Sequence, residues 1–277
     1  MIVAEKTLIN GKATTEISYF DRGLQYGDGV FETIAVENKS LLCWEDHLER
    51  LHLGLSRLNI KIADEDALKL EAISLIESNA KHVIKIIITR GQGGRGYASP
   101  ENPESTRIIS LYNFPEYPPV NSNGITVRIC NYRYGHNKAL AGIKHMNRLE
   151  QVMARSEWTD TTIAEGIVLD SKNNVIEGTM SNVFCVIEGV LCTPNLQNCG
   201  VEGVIRNKVL KKAKSLNIKT EIKDISLIDF KKADEIFCCN SLIGIWPITS
   251  LEEHVYNVGN ITSDIKKALM DTNCIPS

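Results

Sequence analysis

GIKHMNRLEQ (142–151) sets a lysine, Lys144, where a small-residue approach gives way to a helical pattern. Gly142 and Ile143 precede it, and the run NRLEQVMARSEW that follows reads as a helix. A lysine on a solvated helix face usually keeps charged neighbours and no glycine. The ordinary reading is a surface lysine near a helix start. The alternative is a lysine held in place for chemistry, and other parts of the chain have to decide between them.

The chain has 277 residues, which favours one large domain or two medium ones. Hydrophobic residues make up 43% and charged residues 23%, enough apolar material to bury a substantial core. The net charge is −3 and no long basic run occurs, which argues against nucleic acid or an anionic membrane as partner. No uncharged apolar stretch approaches the ~18 residues of a membrane span. The opening MIVAEKTLING has no basic, then apolar, secretory pattern. The eight cysteines are scattered, several inside apolar strand-like runs such as NVFCVI, with no C-x-x-C pair and no zinc-like Cys/His spacing. Free, mostly buried thiols in a reducing cytoplasm and no metal are therefore expected.

The N-terminal part begins with short strand-like runs, TLING and TEISYF, then VFETIAV after the turn QYGDG. CWEDHLERLHLGLSRLNI is helical, with Leu48, Leu51, Leu55 and Leu58 as its core stripe. DEDALKLEAISLIES is a second helix with Leu68, Ile73 and Ile76 among its apolar positions, and HVIKIIITR and TRIISLYNF are strands. The proline-rich NFPEYPPVNSNG (113–124) reads as a linker. After it come the strand GITVRICNYRY, the helix NRLEQVMARSEW and the strands AEGIVLD and VIEGTMSNVFCVIEGVLCTP. The helix VIRNKVLKKAKSLN, two strands in EIFCCNSLIGIWPITSL and a closing helix in NVGNITSDIKKALMD complete the pattern. The class is α+β, with a smaller domain at 1–115, a linker at 116–122 and a larger domain at 123–277 that carries Lys144.

Several features accompany Lys144. In VIEGTMSNVF, Glu177 interrupts an apolar pattern and is either a hairpin-tip charge or a buried partner to a cation. In NCGVEGVIRNKVL, Gly200 and Gly203 precede a helix starting near Val204, and the free N–H groups of a helix start suit an anion such as phosphate. In FCCNSLIGIWP, a strand ends in Asn240 and Ser241, polar groups that suit an anion or an ordinary turn. Arg50 lies off the leucine stripe beside His47, and is either solvated or a bidentate phosphate clamp. TRGQGGRGY (89–97) is a glycine-rich loop without the GK[ST] of a nucleotide cradle, and a flexible loop with Arg90 and Arg95 suits a small carboxylate. A lysine for a Schiff base, a carboxylate for a pyridine nitrogen, and an arginine plus a helix start for a phosphate are together what pyridoxal phosphate needs.

DRGLQYGDGVFET (21–33), HLERL (47–51), TRGQGGRGY, GIKHMNRLEQV, EGTMSNVF and the VEGVIR turn, in this order, resemble the fold-type IV pyridoxal-phosphate enzymes. That group holds branched-chain aminotransferases, D-amino-acid aminotransferases and 4-amino-4-deoxychorismate lyases. RGQGGRGY with LAGIKHMNRLEQV most resembles the aminodeoxychorismate lyases of bacterial folate synthesis. The resemblance implies a two-domain, D-amino-acid aminotransferase-like α+β fold, a homodimer, pyridoxal 5'-phosphate as cofactor and a small-molecule substrate. It makes Lys144 the Schiff-base lysine and Glu177 the carboxylate on the pyridine nitrogen. Arg50 becomes the phosphate arginine, Val204 and Ile205 the backbone donors, Asn240 with Ser241 the second phosphate turn, and Val201 the apolar residue on the ring. The D-amino-acid enzymes have a tyrosine where this chain has Phe31, and a histidine where it has Tyr97.

The lyase reading adds a proton shuttle by Lys144 and the loss of enolpyruvate as pyruvate, driven by aromatisation to 4-aminobenzoate. The substrate carries two carboxylates, so more than one cationic group is expected beside it. Arg95 and Arg107 are the candidates, with Arg148 a lesser one, and Phe31 and Tyr97 suit a flat ring. An aminotransferase of the same fold shares every cofactor residue and differs only in the pocket. A non-catalytic binding protein, with Lys144 and Glu177 as a plain ion pair, is the reading from a different class.

Overall fold

The computed structural model describes residues 3–62 and 64–277. The chain divides into two compact units. The first runs through Pro115 and takes back Ile143–Asn147, and the second comprises Glu116–Gly142 and Arg148–Ser277.

The first unit is built in the order β1 (Lys6–Ile9), β2 (Lys12–Ala13), α1 (Arg22–Tyr26), β3 (Gly29–Glu37), β4 (Ser40–Leu41), α2 (Trp44–Leu58), α3 (Asp66–Ser74), β5 (His82–Thr89) and β6 (Thr106–Asn113). Its sheet has six strands in the order β2-β1-β6-β5-β3-β4, all antiparallel. Alternation along β3 sends Val30, Ile34 and Val36 to one face, and Ile84, Ile86 and Ile88 of β5 with Ile109 and Leu111 of β6 join them. Leu51 and Leu55 of α2 and Leu68 of α3 close that face, with Leu48 and Leu58 packed at its margin. The expected leucine stripe is therefore the core side of α2. On α3 the expectation fails in part. The helix stops at Ser74, Ile73 is 48% exposed, and Ile76 is buried only after the helix has ended.

The segment 15–20 is not a strand. Ser18 Oγ accepts the Phe20 N–H at 3.2 Å and its carbonyl accepts the Asp21 N–H, so serine turns the chain where alternation alone suggested extension. A short helix unseen in the sequence follows: Asp21 caps α1 by accepting the Gly23 N–H at 2.8 Å, and Gly27 ends it at φ 64°.

The second unit continues with a 3-10 turn (Pro119–Ser122), β7 (Ile125–Tyr134), α4 (Leu149–Arg155), β8 (Ile163–Asp170), β9 (Asn174–Gly178), β10 (Asn182–Ile187) and β11 (Val190–Pro194). It closes with α5 (Val204–Ser215), β12 (Thr220–Lys223), β13 (Ile225–Ser226), α6 (Leu227–Lys231), β14 (Glu235–Asn240), β15 (Gly244–Leu251), β16 (His254–Val255) and α7 (Asn260–Met270). Nine of its strands lie in the order β12-β11-β10-β14-β15-β7-β8-β9-β13, with β16 paired to β15. Three pairings, β11 with β12, β15 with β7 and β7 with β8, are parallel. The core joins Val183, Cys185, Cys192, Ile236, Cys238 and Trp246, so cysteines serve as small apolar side chains. All eight thiols are free and six are buried.

Two expectations about domain organisation need correction. The stretch 116–122 is part of the second unit, because Pro119–Ser122 folds as a turn and Tyr117 packs edge-on against Trp246 at 5.0 Å. Lys144 belongs to the first unit rather than the second. Its carbonyl accepts the Phe31 N–H at 3.0 Å and Met146 N–H donates to Gly29 at 2.9 Å, so 143–147 runs along the start of β3 through an isolated antiparallel bridge of His145 with Val30.

Candidate active site

In the first unit the site grows from the alternation of β3. Phe31 and Thr33 point to the face opposite α2, while Glu32 falls among the core positions at 1% exposure. A carboxylate there needs partners. His47 and Arg50, three residues apart and on one side of α2, supply them. His47 Nδ1 lies 2.6 Å from Glu32 Oε2, and Arg50 grips the same carboxylate through Nε at 2.8 Å and Nη2 at 2.5 Å. Burial alone would raise the Glu32 pKa, but Arg50 and His47 bring it down to about 2. Burial holds His47 below its ordinary value, against the pull of Glu32. The guanidinium of Arg50 is thus fixed in orientation by a carboxylate that stays ionised.

Lys144 is half-buried, and its Nζ stands 4.5 Å from the centroid of the Phe31 ring. Backbone bonds of 143–147 pin the segment to β3. The glycine-rich loop is held more firmly than its composition suggests. Arg22 donates to three successive loop carbonyls, Gly96, Tyr97 and Ala98, at 3.1–3.3 Å, and to Asp28 at 2.9 Å. Asp28 also takes Arg90 at 2.7 and 3.1 Å, so Arg90 is a structural residue. Arg95 is exposed on this loop. Tyr97 is 87% exposed and meets Tyr26 edge-on at 5.6 Å, so the first unit gives it no ring-binding wall.

Arg107 does not fit the expected carboxylate clamp. It shares the strand face of Ile109 and Leu111, toward α3, where Glu71 takes its Nε at 2.9 Å and Nη2 at 2.5 Å. Its third nitrogen donates to the Asp64 carbonyl at 3.3 Å. With both edges of the guanidinium engaged, Arg107 is a structural ion pair. Arg107→Leu is expected to cost about 3 kcal/mol of stability, because it strands Glu71. Denaturant titration checks this, with the Arg107→Leu/Glu71→Leu double variant recovering most of the loss and steady-state constants unchanged throughout.

In the second unit, Glu177 lies within β9, one residue before its end, and is 4% exposed, which removes the hairpin-tip reading. Its Oε2 accepts the Val201 N–H at 2.8 Å. Asn182 Nδ2 lies 3.5 Å from the same oxygen and donates to the Val201 carbonyl at 2.8 Å. Val201 is also drawn to Gly142 by two bonds of 2.9 Å on its flanks, Gly142 N–H to Gly200 and Glu202 N–H to Gly142. A Cβ on Gly200, at φ 87°, would sit 2.9 Å from Ile176 and Leu196 and 3.3 Å from Glu177 Oε2. A Cβ on Gly203 would sit 2.0 Å from Asn182 Oδ1. Both glycines are therefore required by close approach.

Gly203 is the N-cap of α5, and no side chain among the described residues caps it. The N–H groups of Val204 and Ile205 have no intrahelical acceptor, as at any helix start. Asn240 Oδ1 accepts the N–H groups of Leu242 and Ile243 at 2.8 and 2.9 Å, its Nδ2 holds the Met180 carbonyl at 3.0 Å, and Ser241 follows at the turn. An uncapped helix start suits a phosphate, and a buried ionisable carboxylate suits a protonated ring nitrogen, so these residues fit pyridoxal phosphate. Glu165, unremarked in the sequence, accepts five donors from Gly166, Thr179, Met180 and Ser181 and shapes the turn after Glu177.

The residues missed in the sequence are Glu32, Arg22, Glu165 and Asn182. For Glu32 a signal existed, since it is the one charge in the core register of VFETIAV. For Asn182 there was none.

The chain matches the model of amino-transferase class IV over residues 29–251. It is 39% identical over 245 residues to the aminodeoxychorismate lyase of Vibrio harveyi, covering 88% of this chain and 90% of that one. It is 26% identical to a D-alanine aminotransferase of Bacillus licheniformis, with 96% of each chain covered. Among solved structures, the 4-amino-4-deoxychorismate lyase of Pseudomonas aeruginosa superimposes with a TM-score of 0.93 at 41% identity, over 97% of this chain and 100% of that one.

Proposed function

The chain belongs to the amino-transferase class IV family, and from that premise we infer that it converts 4-amino-4-deoxychorismate to 4-aminobenzoate and pyruvate. What carries the choice of this reaction is the likeness to the two lyases, well above that to the D-alanine aminotransferase. The proposed cofactor is pyridoxal 5'-phosphate, held by Lys144, Glu177, Arg50, Val201, Val204, Ile205, Asn240 and Ser241. When bound it supplies an electron sink for charge left on the carbon that bears the substrate nitrogen.

The protein's own groups perform the remaining steps. The Lys144 amine removes the proton from that carbon. The neighbouring carbon–oxygen bond breaks and its electron pair leaves with the enolpyruvyl oxygen. Lys144 returns its proton to the departing group, which ends as pyruvate, and the ring that remains is aromatic. Glu177 would face the ring nitrogen and favour a proton there. Arg50, held by Glu32, would offer the phosphate a guanidinium already fixed in orientation. Phe31 offers a flat apolar surface beside the reacting amine. Arg95 supplies charge for a substrate carboxylate from the loop that Arg22 holds.

We further place the reaction in folate synthesis, in the cytoplasm and in a homodimer, which sedimentation of the active enzyme tests. The eight free thiols favour a reducing compartment. No helix among the described residues is long and apolar enough to cross a membrane. The function is tested by incubating purified enzyme with aminodeoxychorismate and no 2-oxo acid. Equal amounts of 4-aminobenzoate and pyruvate are expected. A requirement for an added 2-oxo acid, with faster turnover of a monocarboxylic amino acid, would favour the aminotransferase instead.

A further inference from the structure

The sheet of the first unit carries a second lysine beside Lys144. Ile84, Ile86 and Ile88 of β5 fill the helix-covered core, so alternation turns Lys85 and Ile87 to the opposite face. The register sets Lys85 directly across from Thr33 on β3 and from Ser110 on β6. Its Nζ lies 5.5 Å from the centroid of the Phe31 ring, the ring over which Lys144 Nζ stands at 4.5 Å. Two amines thus share one aromatic side chain on one face. Lys85 is half-buried, and among the described residues its amine has no ion pair and no hydrogen bond. Burial lowers its pKa. An ammonium partly withdrawn from water and lacking a counter-charge is costly unless a ligand supplies the anion.

We propose that Lys85 binds a carboxylate of the substrate, a role the sequence suggested for Arg107, whose guanidinium Glu71 occupies. The identity of that substrate rests on the lyase reading; the anion-binding role of Lys85 does not. Such a contact makes Lys85 a specificity residue, since a substrate with a single carboxylate gains less from it.

The competing explanation is that the lysine stem merely covers Phe31. Lys85→Met keeps that cover and removes the charge, while Lys85→Arg keeps both. The test uses the holoenzyme and measures equilibrium binding of 4-aminobenzoate and of pyruvate, together with KM and kcat for aminodeoxychorismate. Lys85→Met is expected to weaken binding of one product about 10-fold or more, with most of the kinetic loss in KM. The product affected shows whether the ring or the side-arm carboxylate is bound. Lys85→Arg should restore most of the affinity, and the visible absorbance should be the same in all three proteins. Unchanged binding of both products and an unchanged KM in Lys85→Met overturn the proposal. If the unaltered enzyme releases no 4-aminobenzoate, the lyase reading has failed separately. Lys85 is then judged by binding of glutarate against valerate, five-carbon acids that differ by one carboxylate. A preference for glutarate that Lys85→Met abolishes supports the proposal, and one that it leaves intact overturns it.

Discussion

Lys144→Ala is expected to lower release of 4-aminobenzoate about 1,000-fold or more while leaving the protein folded. On the proposed reading two functions rest on this amine, holding the cofactor and moving the proton, and the proton transfer alone is worth about 100- to 10,000-fold in comparable sites. The fold survives because the segment is held by its backbone: the Lys144 carbonyl accepts the Phe31 N–H, and Met146 donates to Gly29. The contact of the amine with the Phe31 ring is among those lost, and none of these backbone bonds depends on it. Fluorescence of released 4-aminobenzoate, with a melting curve on the same sample, gives both results. A folded Lys144→Ala protein with more than about a tenth of the original rate would remove the lysine from the chemistry.

The second large effect belongs to Glu177. Glu177→Gln is nearly isosteric, and its amide oxygen can still accept the Val201 N–H that the carboxylate now takes at 2.8 Å. The loop carrying Gly200 and Gly203 should therefore keep its course, and cofactor should remain bound. What disappears, on the proposed reading, is the negative charge that would keep a proton on the ring nitrogen. Loss of one preorganised electrostatic contact of this kind lowers kcat about 100- to 1,000-fold. Single-turnover measurements on the loaded variant would show slow proton abstraction with normal cofactor content. Full turnover with cofactor bound would return Glu177 to a purely structural role.

Much of the first unit was legible because local periodicity decides it. Leu51 and Leu55 recur at helix spacing and both face the core, and the isoleucines of β5 alternate as a strand must. On the proposed reading, Lys144, Glu177 and Arg50 were legible as motif positions in known order. The placement of Lys144 in the first unit was not, because it depends on pairing between residues more than 100 positions apart, Val30 with His145. Arg107 was misread although the signal was present. Ile109 and Leu111 define the core register of that strand, and Arg107 shares it. An arginine in a core register needs a carboxylate from the covering helix, and Glu71 was available on α3. The segment 15–20 shows the opposite failure, an alternating pattern overruled by the hydrogen bonds of one serine. The grip of Arg22 on the glycine-rich loop had no local signature, since its acceptors are backbone carbonyls more than 70 residues away.

On the proposed reading, Lys144 is the group around which the site is built. Borohydride reduction of the loaded enzyme followed by peptide mapping tests it. A pyridoxyl group on Lys144 is the predicted result. A pyridoxyl group on Lys138 or Lys172, with Lys144 unmodified, would contradict it.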